Sequence, residues 1–146
     1  MAMQPDTTDW KIINILREEH QPNITLAKQL AISEGTVRQR LKRLKENGIL
    51  KIKALINPEV LENRQLAYVL INLKEAKELN EKAEAISALN NVQHVIMLSG
   101  QYDLMVEVLV ESNKGLVRFL TETLTQIEGI ANTQTFIALK TYNKFV

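Results

Sequence analysis

Lysine and arginine are concentrated in one short stretch of this 146-residue chain. Between Thr36 and Lys53 the sequence has seven such residues and a single carboxylate, Glu46. Cationic side chains neutralise phosphates, and arginine and glutamine also form paired hydrogen bonds with the edges of bases. The stretch therefore indicates binding to a nucleic acid, although a cationic run alone is also typical of a solvated helix face.

The residues around these cations predict a helix with a cap at each end. Ser33 is a favourable N-cap, and Asn47-Gly48 can end the helix in a left-handed conformation. Val37, Leu41 and Leu44 recur at helical spacing and are expected to be buried. The charged side chains then project from the opposite, exposed side of the helix.

A short helix immediately before this one makes the interpretation more specific. Thr25 is expected to cap a helix over Leu26–Leu30, and Ala31-Ile32 forms a tight turn, with a strain cost if Ala31 has a positive φ. A short helix, a turn and a longer basic helix are the parts of a helix-turn-helix, in which the second helix enters the major groove of DNA.

Two further segments complete the predicted DNA-binding domain. An earlier helix is capped by Asp6 or Thr8 and carries Trp10 in its buried stripe. Ile49–Ile56 follows the basic helix and is expected to form a short strand or wing whose two lysines face the DNA backbone. Base edges are assigned to Arg38, Gln39, Arg40 and Arg43, phosphates to Lys42, Lys45, Lys51 and Lys53, and Ser33 and Thr36 complete the DNA-binding set.

The overall composition restricts the possible functions. The formal net charge is only +1, but residues 1–65 carry a net charge of +3 and residues 66–146 a net charge of −2, so only the first part is expected to meet a polyanion. The chain has no cysteine, no apolar run near the ~20 residues that cross a bilayer, and no signal region at its start. A cytoplasmic protein without membrane contacts, metal site or cofactor is expected.

The pattern changes after a predicted linker at residues 58–65, which separates a first domain (1–57) from a second (66–146). The expected elements are a strand over Leu66–Leu73, a helix over 79–89, a strand over Val92–Ser99, a two-residue turn at Gly100-Gln101, a strand over 102–111, a helix capped by Ser112, and a strand over Ile130–Tyr142. This order is the ferredoxin-like βαββαβ plan, with both helices on one side of an antiparallel sheet. The fold class is therefore α+β.

The other face of this sheet is expected to be apolar and to mediate dimerisation. The side chains assigned to that face are Ala67, Val69, Ile71, Leu73, Met105 and Leu109. An apolar surface of this kind is typical of a subunit contact, and a two-fold dimer would present two recognition helices to a symmetric DNA site.

Seven motifs are spread over nearly the whole chain. They are Asp6-x-x-Asp9-x-x-Ile12-Ile13, Leu30-Ala31-Ile32-Ser33, Thr36-Val37-x-x-Arg40-Leu41-x-x-Leu44, Gly48-Ile49-Leu50, Ile56-Asn57-Pro58, Gly100-x-Tyr102-Asp103 and Thr133-x-Thr135-x-Ile137-x-Leu139. Taken together, these motifs resemble the Lrp/AsnC ("feast/famine") family of transcription regulators. The resemblance implies a helix-turn-helix joined to an effector-binding domain, and dimers that assemble further, to octamers for example.

The resemblance also implies where a small effector, often an amino acid in this family, would bind. Gly100, Gln101, Tyr102 and Asp103 are the expected effector residues, with Asp103 holding an α-amino group, and Thr133 and Thr135 contribute from the last strand. The expected function is sequence-specific DNA binding that responds to the effector.

Two other functions are compatible with the same plan. The basic helix would also serve a nucleoid-type protein that binds DNA without an effector and with little sequence preference. A tetrapyrrole decarboxylase resembles this two-domain plan too, but the two histidines, His20 and His94, have no second ligand at suitable spacing, and no catalytic motif is present. The sequence therefore predicts a protein that is not an enzyme.

Overall fold

The chain folds as two units, Met1–Ala54 and Leu55–Val146, in a computed structural model that describes residues 3–146. The first unit contains α1 (Thr7–Glu18), α2 (Asn23–Leu30) and α3 (Glu34–Glu46). The second unit contains β1 (Arg64–Leu73), α4 (Leu79–Ser87), β2 (Val92–Met97), β3 (Leu104–Glu111), α5 (Ser112–Arg118) and β4 (Ile130–Ile137). The order of these elements is the predicted one.

The three helices of the first unit pack around a small apolar core. Its buried members are Ile12, Leu26, Ala27, Val37 and Leu41. The capping box at the start of α1 is complete, because the side chains of Asp6 and Asp9 each accept the other's backbone N–H. Between α2 and α3, Ala31 has φ 52° and ψ 43°, so the anticipated left-handed turn is present.

Three predictions about the first unit were wrong. Trp10 is 50% exposed because α1 buries Asp9, Ile12 and Ile13, a stripe that does not include Trp10. Thr25 caps nothing, since α2 begins two residues earlier, after Pro22. The segment 49–56 forms no strand in the part of the chain that the structure describes. Residues 51–56 are exposed, and the backbone pairing stops at Ile56, which exchanges two hydrogen bonds with Val146, so no ladder extends along the segment.

The second unit is a four-stranded antiparallel sheet in the order β2-β3-β1-β4. Alternate residues of β1 and β3 form the core with Ile86 of α4, Leu116 of α5, and Phe119 and Leu124 just after α5. Both helical segments therefore cover the same face of the sheet, as predicted. The chain after α5 continues through a π turn (Phe119–Thr123) and a 3-10 turn (Leu124–Gln126).

The prediction for the uncovered face of the sheet was partly wrong. Val69 pairs with Val106, and Ile71 with Leu104, so these β1 residues, together with Ala67 and Leu73, belong to the core under the helices. Neighbours along β1 point to opposite faces, which turns Leu66, Tyr68 and Leu70 outward. We call this side, which carries no helix and is reached by Lys144 at Glu107, the open face. Its residues are Leu66, Tyr68 and Leu70 of β1, Ile96 of β2, Met105, Glu107 and Leu109 of β3, and Gln134 and Phe136 of β4.

Several element ends also differ from the predicted ones. Six residues, not a two-residue turn, join β2 to β3, and the N–H of Leu98 closes this loop on the carbonyl of Asp103 at 2.9 Å. Ser112 does not cap α5, because it has φ 70° and its own N–H is bound to the carbonyl of Asn63. The last strand ends at Ile137, five residues before Tyr142.

Candidate nucleic-acid interface and effector site

Local sequence fixes both ends of α3. The Oγ of Ser33 accepts the N–H of Thr36 at 3.0 Å and lies 2.8 Å from its hydroxyl. At the other end the Asn47 amide donates to the carbonyl of Arg43, and Gly48 takes a left-handed φ of 67°. Ser33 and Thr36 are two of the predicted DNA-binding residues. In the structure they bind each other, and this contact sets where the helix begins.

The outward side of α3 presents a set of exposed polar and cationic side chains. They are Arg38, Gln39, Lys42 and Lys45, and Arg43 is also exposed beside them. Arg38 contacts Glu34 at 2.6 Å and Lys42 lies 3.7 Å from Glu46, both one turn apart along the helix. Exposed pairs of this kind contribute little stability and exchange readily with other anions, so this side of the helix can bind phosphates and base edges.

Arg40 and Arg43, which the sequence assigns to base edges, turn toward α1. The Nη1 of Arg40 lies 2.6 Å from Asp6 and 2.8 Å from Asp9, and the Nη2 of Arg43 lies 2.7 Å from Asp9. The hydrogen bond from Arg40, followed by that from the Asp9 backbone, holds the pKa of Asp6 below its ordinary value of 3.8. Asp6 and then Asp9 raise the pKa of the Arg40 guanidinium. We call these four residues the clamp.

The sequence contains a signal for the clamp. Asp6 and Asp9 stand three residues apart at a helix start, a spacing that predicts a cap, and the arginines belong to a run that predicts a basic face, so neither pattern alone indicates that the two groups bind each other. The two lysines predicted to bind phosphates, Lys51 and Lys53, lie in the exposed segment after α3.

The predicted effector residues belong to the loop between β2 and β3 and to β4. Gly100 and Gln101 are exposed in that loop. The Tyr102 hydroxyl donates to the Gln134 side chain of β4. Asp103 holds the end of β1, because its Oδ2 accepts the N–H of Leu73 at 2.8 Å and its own N–H donates to the carbonyl of Ile71 at 3.0 Å.

The structure separates the threonines from these loop residues. Thr133 and Thr135 pair with Ile71 and Val69 and so lie on the helix side of β4, whereas Gln134 lies on the open face with the Tyr102 hydroxyl. The sequence prediction missed Gln134, although strand alternation would have separated it from the two threonines. The structure therefore brings Tyr102 and Gln134 into contact, while the neighbouring Asp103 is bound to the end of β1.

Thr133 instead lines a groove of about 620 Å³ on the helix side of the sheet. It is lined by the apolar side chains of Leu120, Leu124 and Ile127 and by polar residues that include Lys74, Glu128 and Asn132. Among residues 3–146 no group of three or more histidines and carboxylates lies close enough to hold a metal ion. No helix within the same range is long and apolar enough to cross a membrane.

Two family models match most of the chain. A model of winged helix-turn-helix DNA-binding domains matches residues 5–51, and a model of the Lrp/AsnC ligand binding domain matches residues 66–145. The chain is 33% identical to the HTH-type transcriptional regulator FL11 of Pyrococcus furiosus, over 95% of this chain and 92% of that relative. It is 31% identical to the leucine-responsive regulatory protein of Haemophilus influenzae, over 92% of this chain and 84% of that relative.

Solved structures show the same similarity. A transcriptional regulator of Neisseria meningitidis in complex with L-Met is 26% identical, with a TM-score of 0.71, and the alignment covers 97% of this chain and 94% of that one. The AsnC protein of E. coli is 25% identical, with a TM-score of 0.68 and 95% of each chain covered. The similarity therefore extends over both units.

Proposed function

The chain belongs to the Lrp/AsnC family of DNA-binding transcriptional regulators, and from that membership we propose that it recognises a specific DNA sequence and that an amino acid controls this binding. The proposed DNA recognition rests on the two unlike sides of helix α3. Its buried stripe fixes one side of the helix while exposed cations and an amide project from the other.

Within this proposal the exposed residues of α3 divide into two classes. Arg38 and Gln39 have the side chains that form paired hydrogen bonds with guanine and adenine edges. Lys42, Lys45 and the two lysines after the helix bind phosphates, which sets affinity without sequence preference. We assign Ser33 and Thr36, at the start of α3, to the phosphate backbone of the DNA as well.

A regulator of chromosomal DNA works where that DNA lies, which supports a cytoplasmic location.

The amino-acid effector is supported by the relatives and by the loop between β2 and β3. One relative is named as leucine-responsive, and a similar structure contains L-Met. In this chain Tyr102 and Gln134 offer a hydroxyl and an amide, and the carboxylate of Asp103 lies at the same end of the sheet. These groups suit an α-amino acid, which needs acceptors for its ammonium and donors for its carboxylate.

We further propose that the open face joins two copies of the chain. Glu107 lies at its centre and is only 7% exposed; its Oε2 binds Lys144 at 2.8 Å, while in the part of the chain that the structure describes its Oε1 has no partner. Burial, and next the charge of Glu107, raise the pKa of the neighbouring Tyr68. Exposed Ile96 and Phe136 flank this centre. A second copy would cover the apolar rim, and association of such dimers into octamers belongs to the same proposal.

Selection from random duplexes tests the DNA-binding half of the proposal. The wild-type protein is expected to enrich a single motif and to bind it at least roughly a thousandfold more tightly than a scrambled duplex of equal length. A ratio near one would instead favour a nucleoid-type protein without sequence preference.

A thermal-shift screen against the twenty amino acids tests the effector half. A ligand at 100 times its dissociation constant stabilises the folded state by about 2.7 kcal/mol, which moves the melting temperature by several degrees for a unit of this size. Tyr102→Phe removes the hydroxyl that binds Gln134 but keeps the ring, and we expect it to reduce the shift. No shift from any amino acid would contradict this half alone.

A further inference from the structure

We propose that Arg40 and Arg43 act on DNA recognition as positioning residues that lock α3 against α1 through Asp6 and Asp9, and not as contacts to bases. This inference rests on the proposed DNA binding and concerns how the recognition helix is aimed.

Asp9 is the fixed point of the clamp. Its side chain is fully buried, and its two oxygens accept from Arg40, from Arg43 and from the N–H of Asp6. A buried carboxylate is stable only with such partners, because an unpaired charge in this position would have lost its hydration without compensation. Removing Asp9 would leave two arginines without their buried counter-charge, so the four residues act as one unit.

Exposure separates Arg40 from the other cations of α3, whereas Arg43 is 47% exposed and is held by its bond to Asp9. The side chain of Arg40 is 24% exposed and bonded to two carboxylates, whereas that of Arg38 is 70% exposed and bonded only to Glu34. To reach a base, Arg40 would have to leave both Asp6 and Asp9. Arg38, by contrast, would leave only the exposed carboxylate of Glu34 to bind a base or a phosphate.

The spacing of the two arginines explains how the clamp positions the helix. Arg40 and Arg43 are three residues apart, so they lie on adjacent turns of α3 and on the same side of it. Both bind the same carboxylate from different directions. Sliding α3 by one residue, or rotating it about its axis, would break at least one of these bonds, whereas the apolar contacts of Val37 and Leu41 are less directional. The clamp thus fixes which side chains face the DNA.

The test compares Asp9→Asn with the wild-type full-length protein on two duplexes, the one obtained by selection and a scrambled one of equal length. Trp10, the single tryptophan of the chain, reports the folded fraction of the first unit, so affinities are expressed per folded molecule. If the clamp aims the helix, Asp9→Asn weakens binding to the selected duplex by roughly tenfold or more and leaves the scrambled duplex nearly unchanged. The dependence of affinity on salt stays as in the wild type, because no phosphate contact is lost.

Two results would overturn the inference. If Arg40 and Arg43 contact DNA directly, Asp9→Asn releases them and removes a nearby negative charge, so binding stays equal or becomes tighter. If the clamp contributes only stability, the folded fraction falls but the affinity of the folded molecules for both duplexes is unchanged. Should Asp9→Asn fail to fold, Asp6→Asn removes the exposed carboxylate partner of Arg40 and leaves both arginines unchanged. The same loss of preference is then expected if the clamp aims the helix, whereas arginines that contact DNA directly would bind equally or more tightly.

Glu34→Gln is the matched control. It removes the carboxylate partner of an α3 arginine at the exposed surface, and we expect the preference for the selected duplex to be kept. A wild-type protein without any such preference would contradict the proposed function and this inference together, whereas wild-type preference with unchanged variants would contradict only the inference.

Discussion

Ala31 adopts a backbone conformation that an alanine side chain disfavours. Its φ of 52° places the Cβ against its own carbonyl, at a cost of roughly 1 to 2 kcal/mol that glycine does not have. We expect Ala31→Gly to raise the free energy of unfolding of the first unit by roughly 1 kcal/mol, since the gain exceeds the extra chain entropy of glycine. Urea unfolding followed by Trp10 fluorescence measures the change.

Gly48 provides the opposite substitution in the same unit. It has φ 67°, and a Cβ added there would meet nothing within 4 Å. Gly48→Ala should therefore lower the unfolding free energy by roughly 1 kcal/mol through the backbone alone. If both variants changed stability in the same direction, strain at Ala31 would not be the cause.

Single side chains of the interface should divide according to what they contact. Arg38→Ala should weaken binding to a selected duplex by about 1 to 3 kcal/mol, because a base contact is lost. Lys51→Ala should weaken binding to all duplexes alike and reduce the slope of log affinity against log salt by about 0.9. Titrations at several salt concentrations distinguish the two effects. An unchanged affinity in Arg38→Ala would remove this residue from the recognition surface.

At the scale of elements, the contact of α3 with the start of α1 should depend on pH. The folded pKa of Asp6 lies below its ordinary value, so the charged form is favoured by folding. Its contribution is complete well above pH 3.8 and is lost as the pH falls through the lowered folded value. We expect wild type to be more stable than Asp6→Asn at pH 7 and this difference to shrink steadily in acid. Urea midpoints of both proteins across this range provide the measurement, and a difference that stays constant would contradict the assignment.

The elements also show what local sequence determines. The two ends of α3 were predicted correctly because Ser33 and Gly48 act within one turn of themselves. The face assignment of β1 failed because both sets of alternate residues are largely apolar, and only the pairing of Val69 with Val106 decides which set is buried. The clamp was missed for the same reason, since it joins residues more than thirty positions apart.

At the scale of the whole molecule, the open face should control association. Met105 is half buried on this face, and a carboxylate placed there would be desolvated in a dimer at a cost of a few kcal/mol. We expect Met105→Glu to weaken self-association by roughly a hundredfold, as measured by sedimentation equilibrium. Val117→Glu is the matched control, because Val117 lies on α5 and is already exposed. Equal association of both variants would place the contact elsewhere.

The clamp between α1 and α3 also has a consequence for the order of folding. Its bonds connect residues separated by 31 and 34 positions and need aligned donors and acceptors, so we expect them to form after the less directional apolar contacts have brought α1 and α3 together. Contacts that form after the rate-limiting step affect how fast a protein unfolds, not how fast it folds. We therefore expect the clamp to lengthen the lifetime of the folded first unit while leaving its folding rate to the apolar core.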